Sequence, residues 1–470
     1  MSDAELNKKA CLAALPPVWP EELMPAIRSR TRVSGDKIVI LDDDPTGTQT
    51  VHGLPVLTTW SVPTLENAIS EAGPGFFILT NSRSMERRAA CDLSQRIGEN
   101  LKTASERAGI PVEVISRSDS TLRGHFPHEV DAVAKAMGMD MRPYLIFPFF
   151  PEGGRFTIDN IHYVAEKDRL VPAAMTPYAK DAAFGYCRSD LREWVAEKTL
   201  GRISAKSVVA ISLEDIRIGG PERVGSILSR VPDRGACIVN AAAYGDVEVV
   251  AEGLLKASAQ GRRFLLRTAA AFVRVRTGIE PREQQLSKTE LVADTQNGGL
   301  FVVGSYVPKT TDQLRELIEK TDVRPVEIRV DRLLEKSSRE HDVIRAAEEV
   351  NAELNKGRDV VLYTSRDLIT GTDAETSLDI GQLVSDSLIA VVRAVRHRPG
   401  YLVAKGGITS SDVAVKGLNV RRAMVAGQIL PGVPVWRLGD ESRYPQMAYI
   451  VFPGNVGGDD ALLAIQRKLA

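Results

Sequence analysis

Cysteine is scarce in this sequence: Cys11, Cys91, Cys187 and Cys237 are scattered over 470 residues with no C-x-x-C pair. That spacing excludes a disulfide framework and a cysteine zinc site, and it suits a reducing compartment. A charge excess of either sign is also missing, because 60 basic residues meet 61 acidic ones for a formal net charge of -1. No global field draws such a chain to nucleic acid or to an anionic membrane, so any anion it binds must be held by a local site. No apolar run approaches the roughly 18 residues that would span a bilayer. The opening segment MSDAELNKKACLAALPPVWPEEL is interrupted by Pro16, Pro17 and Pro20 before an apolar core can form. A soluble, cytoplasmic protein without membrane or nucleic-acid partners is the expectation. Low-complexity tracts and internal repeats are absent as well.

What is present is the balance of a globular protein with full cores, 43% hydrophobic and 26% charged. The length exceeds one ordinary domain. From Lys37 onward, short β-branched runs alternate with longer amphipathic stretches. Candidate strands are KIVIL (37–41), GFFIL (75–79), VEVIS (112–116), YLIFP (144–148), SVVAI (207–211) and ACIVN (236–240), with a long helix over 86–109. The stretch 263–278 reads as a closing strand and loop. The polar segment EPREQQLSKTELVADTQNGG (280–299) reads as a linker. A second series follows: LFVVGSY (300–306), a helix over 311–321, VEIRV (326–330), RDVVLYTS (358–365), YLVAKGG (401–407) and AYIVFPG (448–454). Alternation of this kind predicts an α/β protein of two domains, each with a largely parallel sheet flanked by helices and with the active site in the cleft between them. The expected division is an N-terminal extension (1–36), a first domain (37–279), the linker (280–299) and a second domain (300–470).

Chemistry-bearing residues concentrate at the ends of the predicted strands, where open parallel sheets place their ligands. LDDDPTGTQT (41–50) sets Asp42, Asp43 and Asp44 in succession, followed by Thr46. Three like charges are not packed together in a core without a reason, so the loop reads as binding a polyol, coordinating Mg²⁺ or accepting a proton; an acidic surface turn is the alternative. TNSRSM (80–85) offers Ser82 and Arg83, a fork of donors for a carboxylate. SRSDSTLRGHFPHE (116–129) adds Asp119 and Arg123, with Gly124 allowing close backbone approach, although helix capping alone would also favour such residues. FPFFPEGGRFTIDNIHYV (147–164) reads as a fourth loop, with Arg155 available to an anion and His162 more in keeping with a structural role. Together these loops describe a pocket for a small, polar, anionic molecule.

The C-terminal half is glycine-rich at its strand ends. YLVAKGGITSSDVAVKGL (401–418) runs from strand through Gly406 and Gly407 into a helix, and backbone N–H groups at such a turn cradle phosphates, with Lys405 and the Thr409 to Ser411 hydroxyls as further donors. VVGSY (302–306), FPGNVGGDD (452–460) and ILPGVPVWRLG (429–439), the last read as a loop, supply further turns. The G-x-x-x-x-G-K-[ST] spacing is absent, and so is a G-x-G-x-x-G after the first strand.

In sequence order, LDDDPTGTQT, TNSRSM, SRSDSTLRGH, FPEGGRFTIDNIHYV, VVGSY, KGGITSSD and FPGNVGG resemble the motifs of the four-carbon acid sugar kinases, from about residue 37 to the end. The chain departs from the family pattern at Asp44-Pro45, Ile408 and Pro453, which marks a divergent branch. The resemblance implies an N-terminal sugar-acid domain and a C-terminal ATP domain that phosphorylate threonate, erythronate or 3-oxo-tetronate. It places Asp43, Arg83, Asp119 and Arg123 in the substrate pocket, and Ser305, Gly406, Gly407, Ile408, Thr409 and Gly454 on ATP. Phosphoryl transfer asks chiefly for alignment and charge stabilisation. In that scheme Arg83 and Arg123 clamp the substrate carboxylate. Asp43 is the first choice for the base and Asp119 the second, with Mg²⁺ on the phosphates and Asp412 a candidate to assist it. A homo-oligomer is compatible with the sequence. The rival readings are a non-catalytic sugar-acid sensor and an NAD-dependent oxidoreductase of a hydroxy acid.

Overall fold

The β-branched runs are strands, and most are buried at every position. A computed structural model of the chain describes residues 5–470 except 283, 293–295, 306, 367–368, 370–373 and 455, with the backbone alone for 374–379. Tyr306, Asn455 and parts of the segment read as a linker thus lie outside the described residues. The chain divides into two units, one of Met1–Leu54 with Thr59–Pro281, the other of Pro55–Thr58 with Arg282–Ala470.

The first unit is built on a parallel sheet in the order Val209–Ile211, Ala236–Val239, Tyr144–Phe147, Leu265–Thr268, Val112–Arg117, Lys37–Asp42, Gly75–Leu79. Complete burial of five of these strands follows from helices on both faces. The helix Arg87–Ala108 shows how a face is covered: Ala90, Leu93, Ile97, Leu101 and Ala104 recur at spacings of three and four and are buried, and Gly109 in the left-handed region ends it.

Two local readings are corrected. Residues 263–278 hold the strand Leu265–Thr268 and then the helix Ala270–Arg276, not a strand and loop. That helix is buried on nearly all sides, so its apolar residues carry no helical period to read. Residues 155–172 form a small antiparallel sheet, Arg155–Ile158, Ile161–Glu166 and Arg169–Pro172, where a loop was expected. Asp159 and Asn160, both with positive φ, make its first turn.

The segment before Lys37 is part of this unit. Leu6–Asn7 adds a strand to the small sheet, and the helix Met24–Ser34 buries Met24, Ile27 and Thr31. Arg217 grips Asp246 through two bonds of 2.7 and 2.8 Å and donates to the Pro16 carbonyl at 2.6 Å. Asp246 is fully buried and also accepts the backbone N–H groups of Ala242 and Ala243.

The second unit has an eight-stranded sheet in the order Pro55–Leu57, Arg422–Leu430, Val433–Leu438, Ala448–Phe452, Leu402–Lys405, Leu300–Val303, Val360–Thr364, Arg324–Ile328. The last five run parallel and the first three antiparallel. The expected loop at 429–439 is therefore a hairpin: Pro431 and Gly432, the latter at φ 78, turn the chain between two strands. Phe301, Val303, Leu314, Leu317, Val403 and Phe452 belong to its core. Among the described residues no helix is long and apolar enough to cross a membrane.

Replacing Asp246 by Ala leaves the Arg217 guanidinium buried without its partner. The expected loss is about 3–5 kcal/mol of first-unit stability, read from urea unfolding of the full chain; a loss under about 1 kcal/mol would mean that the pair is not a clamp.

Candidate functional site

Strand pairing begins the assembly of the first unit's polar cluster. Asp42 and Arg117 are cross-strand partners at the carboxyl ends of neighbouring parallel strands. Their side chains meet at 3.0 Å with almost no exposure, and the same Arg117 nitrogen lies 3.6 Å from Asp43. Gly47 has no side chain because a Cβ there would run into the Asp42 carboxylate. Asp44 caps the 3₁₀ turn Pro45–Thr48 by accepting the Thr46 N–H at 2.8 Å, and its other oxygen pairs with Arg83.

Arg83 reaches on to Asp119 at 3.4 Å, and Asp119 is gripped by Arg123 at 2.7 Å and by the Thr121 hydroxyl. The loops after three strands are thus joined by ion pairs: Arg117 serves Asp42 and Asp43, Arg83 serves Asp44 and Asp119, and Arg123 serves Asp119. Gly124, at φ 115, comes so close to Asp43 that a Cβ would lie 3.4 Å from its Oδ2. Ser82 is fully buried and bonds Thr80, while its carbonyl meets His125 at 3.1 Å. Arg155 lies in the same neighbourhood, with its guanidinium 5.4 Å from the Tyr178 ring centroid, and Arg123 stands over the same ring at 5.2 Å.

The four aspartates are not equivalent. Burial pushes Asp42 and Asp43 above the usual carboxylate range, more than their arginines offset. Asp43 is 5% exposed and neither of its oxygens has a hydrogen-bond partner. Burial also works against the charge on Asp119, but Arg123, Arg83 and Thr121 outweigh it and hold that carboxyl well below the range. Arg83 and Thr46 do the same for Asp44.

Several participants carried no role in the sequence reading. Arg117 is the buried counter-charge. Arg267, wholly buried, donates to the Asp119 and Arg123 carbonyls at 3.1 and 3.3 Å and so fixes the backbone of their loop. Asp181 meets Arg123 at 3.5 Å. Glu129 shares a cavity of about 30 Å³ with Asp43, Thr80, Ser82 and Ser116, room for one or two waters. Burial, then the nearby Asp43, push Glu129 up to about 7 against the Ser82 hydroxyl. A lone arginine in the apolar run FLLRTA is a readable signal for Arg267; nothing local marks Tyr178 or Asp181. His162 is structural: it bonds the Thr157 hydroxyl at 2.9 Å and the Ser120 carbonyl at 2.8 Å, and burial lowers it to about 3.

In the second unit the glycine turns converge. Gly406, at φ 111, donates its N–H to the Phe452 carbonyl at 2.8 Å and begins the short helix Gly407–Asp412. A Cβ on Gly406 would stand 3.2 Å from that of Ser305, and one on Gly454 would stand 3.8 Å from the Ser305 hydroxyl. A Cβ on Gly304 would crowd the Thr409 hydroxyl at 2.5 Å. Ser305, Gly406, Thr409 and Gly454 are therefore neighbours, with Gly407 and the exposed Ile408 on the first turn of the helix. Thr310 bonds Ser305 at 3.3 Å, and Arg366 bonds the Ser305 carbonyl at 2.7 Å. Lys405 donates to the Pro453 and Gly454 carbonyls. Asp412 spends its oxygens on Lys416 at 3.0 Å and Ser385 at 2.6 Å. Among the described residues no three acidic, histidine or cysteine side chains gather as a metal site.

The comparisons agree with this division. The family description "Sugar-binding N-terminal domain" matches residues 38–276, and "Nucleotide-binding C-terminal domain" matches 300–462. Haemophilus influenzae protein HI1011 shares the fold with a TM-score of 0.63 at 17% identity, over 92% of this chain and 100% of its own. A Salmonella typhimurium LT2 protein provisionally labelled a tRNA synthase does so with a TM-score of 0.66, also at 17% identity and over 92% and 100% of the two chains. At such identities the likeness is one of fold. No curated protein matches the chain.

A carboxyl raised to about 7 contributes stability that is complete below the ordinary glutamate value and is lost as pH rises through 7. Substituting Glu129 by Gln should therefore shrink the fall in first-unit stability between about pH 5 and about pH 8, measured by urea unfolding at each pH. An unchanged fall would mean that Glu129 titrates as an ordinary surface carboxylate.

Proposed function

Because the chain belongs to the family that joins a sugar-binding N-terminal domain to a nucleotide-binding C-terminal domain, the four-carbon acid sugar kinases, we propose that it is a cytoplasmic kinase transferring the γ-phosphate of ATP to a hydroxyl of a small sugar acid. The family resemblance points to threonate, erythronate or 3-oxo-tetronate as the substrate. The sugar-acid domain is then the first unit, through Pro281, and the nucleotide domain the second, from Arg282 onward, with Leu286 and Leu291 of the expected linker in its core.

The observation that carries this reading is Asp43. A buried carboxylate with two unpartnered oxygens, at the carboxyl end of a parallel sheet and ringed by arginines, is poised to accept a proton. Its raised proton affinity makes it a better base than Asp119, which is tied down by Arg123, Arg83 and Thr121. Asp119 then acts by positioning Arg83 and Arg123. Arg155, whose Nε is buried without a hydrogen-bond partner, shares one tyrosine ring with Arg123, itself engaged by Asp119 and Asp181, and the substrate carboxylate is assigned to Arg155 with Arg123 beside it. Arg83 is already held by Asp44 and Asp119 and serves the neighbouring hydroxyls instead.

With its carboxylate so anchored, the acid presents a hydroxyl to Asp43. The hydroxyl oxygen attacks the γ-phosphorus as its proton passes to Asp43, and ADP leaves with the bridging oxygen. Mg²⁺, when bound with the nucleotide, neutralises phosphate charge. The residues present suit an ion carried on the phosphates, since Asp412 is engaged by Lys416 and Ser385. Ser305, Gly406, Gly407, Ile408, Thr409 and Gly454 line the turns that receive ATP.

The test is coupled ADP release with Mg-ATP against a panel of four-carbon sugar acids and their oxo forms. Substrate-dependent release is expected, and Asp43→Asn should lower kcat by about 10²–10⁴-fold with little change in melting temperature. Near-normal turnover in that variant would remove Asp43 as base. Binding of both ligands without ADP release would leave a sugar-acid sensor.

A further inference from the structure

Lys405 ends the strand Leu402–Lys405, and none of its side chain is exposed. Its Nζ donates to the Pro453 carbonyl at 2.7 Å and the Gly454 carbonyl at 3.2 Å, and stands 3.8 Å from the centroid of the Phe452 ring. Carbonyl dipoles and a ring face solvate an ammonium, but a fully buried lysine ordinarily has an anion as well. Here the charged group that faces it is another cation. Lys309, at the start of the helix Pro308–Lys320, is near enough to repel it and donates to the Gly457 carbonyl at 3.2 Å. The nearest acidic residue along the chain, Asp412, is committed to Lys416 and Ser385. Thr310 and Gln313, side chains of that helix that bond the Gly454, Val456 and Gly458 carbonyls, are uncharged.

Two lysines therefore converge on one glycine turn, and no carboxylate among the described residues pairs with Lys405. We propose that the missing counter-charge is the phosphate tail of the nucleotide, so that nucleotide binding takes up a proton at Lys405. The proposal rests on reading these turns as the nucleotide site and adds a specific linkage to it. Burial, reinforced by the Lys309 charge, lowers Lys405 to about 7. Above that pH the free protein holds a neutral amine. Bound phosphates favour the ammonium, so the bound form keeps its proton to higher pH. Affinity is then greatest below about pH 7 and falls as pH rises between the free and bound values. Lys405 is a positioning residue in this scheme: it fixes the Pro453–Gly454 turn and sets its charge.

The experiment is calorimetric titration of the full chain with Mg-ADP at about pH 8, in buffers of different ionisation enthalpy. Wild type should take up close to one proton per nucleotide. Lys405→Met should bind more weakly and take up none. Lys309→Met, a change at an exposed helix start, should lower the uptake by relieving repulsion in the free protein, while leaving the fold intact. Nucleotide binding by wild type without buffer-dependent heat overturns the proposal, and so does undiminished uptake in Lys405→Met. No nucleotide binding by wild type at all is a different result: it overturns the nucleotide reading and this linkage with it.

Discussion

The first unit depends on one pair of buried charges that strand register brings together. Asp42 and Arg117 sit opposite each other at the carboxyl ends of adjacent parallel strands, at 2% and 6% side-chain exposure. Either one alone would be prohibitive there, since an unpaired buried charge costs several kcal/mol or else loses its charge. Together they offset each other in part, burial still holding Asp42 above the usual carboxylate range, just below the point where Asp43 and Asp44 leave the sheet. Every later link follows from that anchor. Asp44 engages Arg83, Arg83 engages Asp119, and Asp119 engages Arg123, so three loops are held by alternating charges rather than by hydrophobic contact.

A network of this kind is costly in stability and specific in geometry. Hydrophobic replacements of similar volume would make a firmer scaffold. They would not leave the Asp43 oxygens without a hydrogen bond beside a small cavity, nor hold two guanidinium groups over the Tyr178 ring. The second unit solves the opposite problem. It must receive negative charge, so its strand ends carry glycine turns instead of carboxylates. Their carbonyls are occupied by Lys405, Lys309, Gln313 and Arg366. Cations and amides hold those turns in shape without placing an anion beside incoming phosphate.

What the sequence made legible follows the same division. Polar clusters directly after β-branched runs marked both candidate sites, because a buried parallel strand is a continuous apolar run and whatever follows it lies at the sheet's carboxyl edge. Partners contributed from elsewhere were invisible. Tyr178 and Asp181 come from an irregular stretch with no period, and only the folded chain brings them to Arg123. The helix Ala270–Arg276 was misread because a helix buried on all sides has no polar face. The hairpins at Asp159–Asn160 and Pro431–Gly432 had recognisable turn residues, but the glycines and arginine around the first drew attention to chemistry before structure.

Asp43 and Asp119 show why residue type could rank candidates for the base but environment had to choose between them. Both follow a strand, both are surrounded by hydroxyls and arginines, and motif reading allows either. They differ in how many donors each already satisfies. Asp119 accepts from Arg123 and Thr121 and pairs with Arg83, so protonating it would cost all of those interactions at once. Asp43 keeps only the longer contact with Arg117, and its burial already favours the neutral form. In the proposed kinase reaction a proton from a substrate hydroxyl would settle on Asp43 at little cost, easing the crowding with Asp44. Because Arg117 serves Asp42 first, the same pairing that anchors the sheet edge is what leaves the Asp43 oxygens without a hydrogen bond.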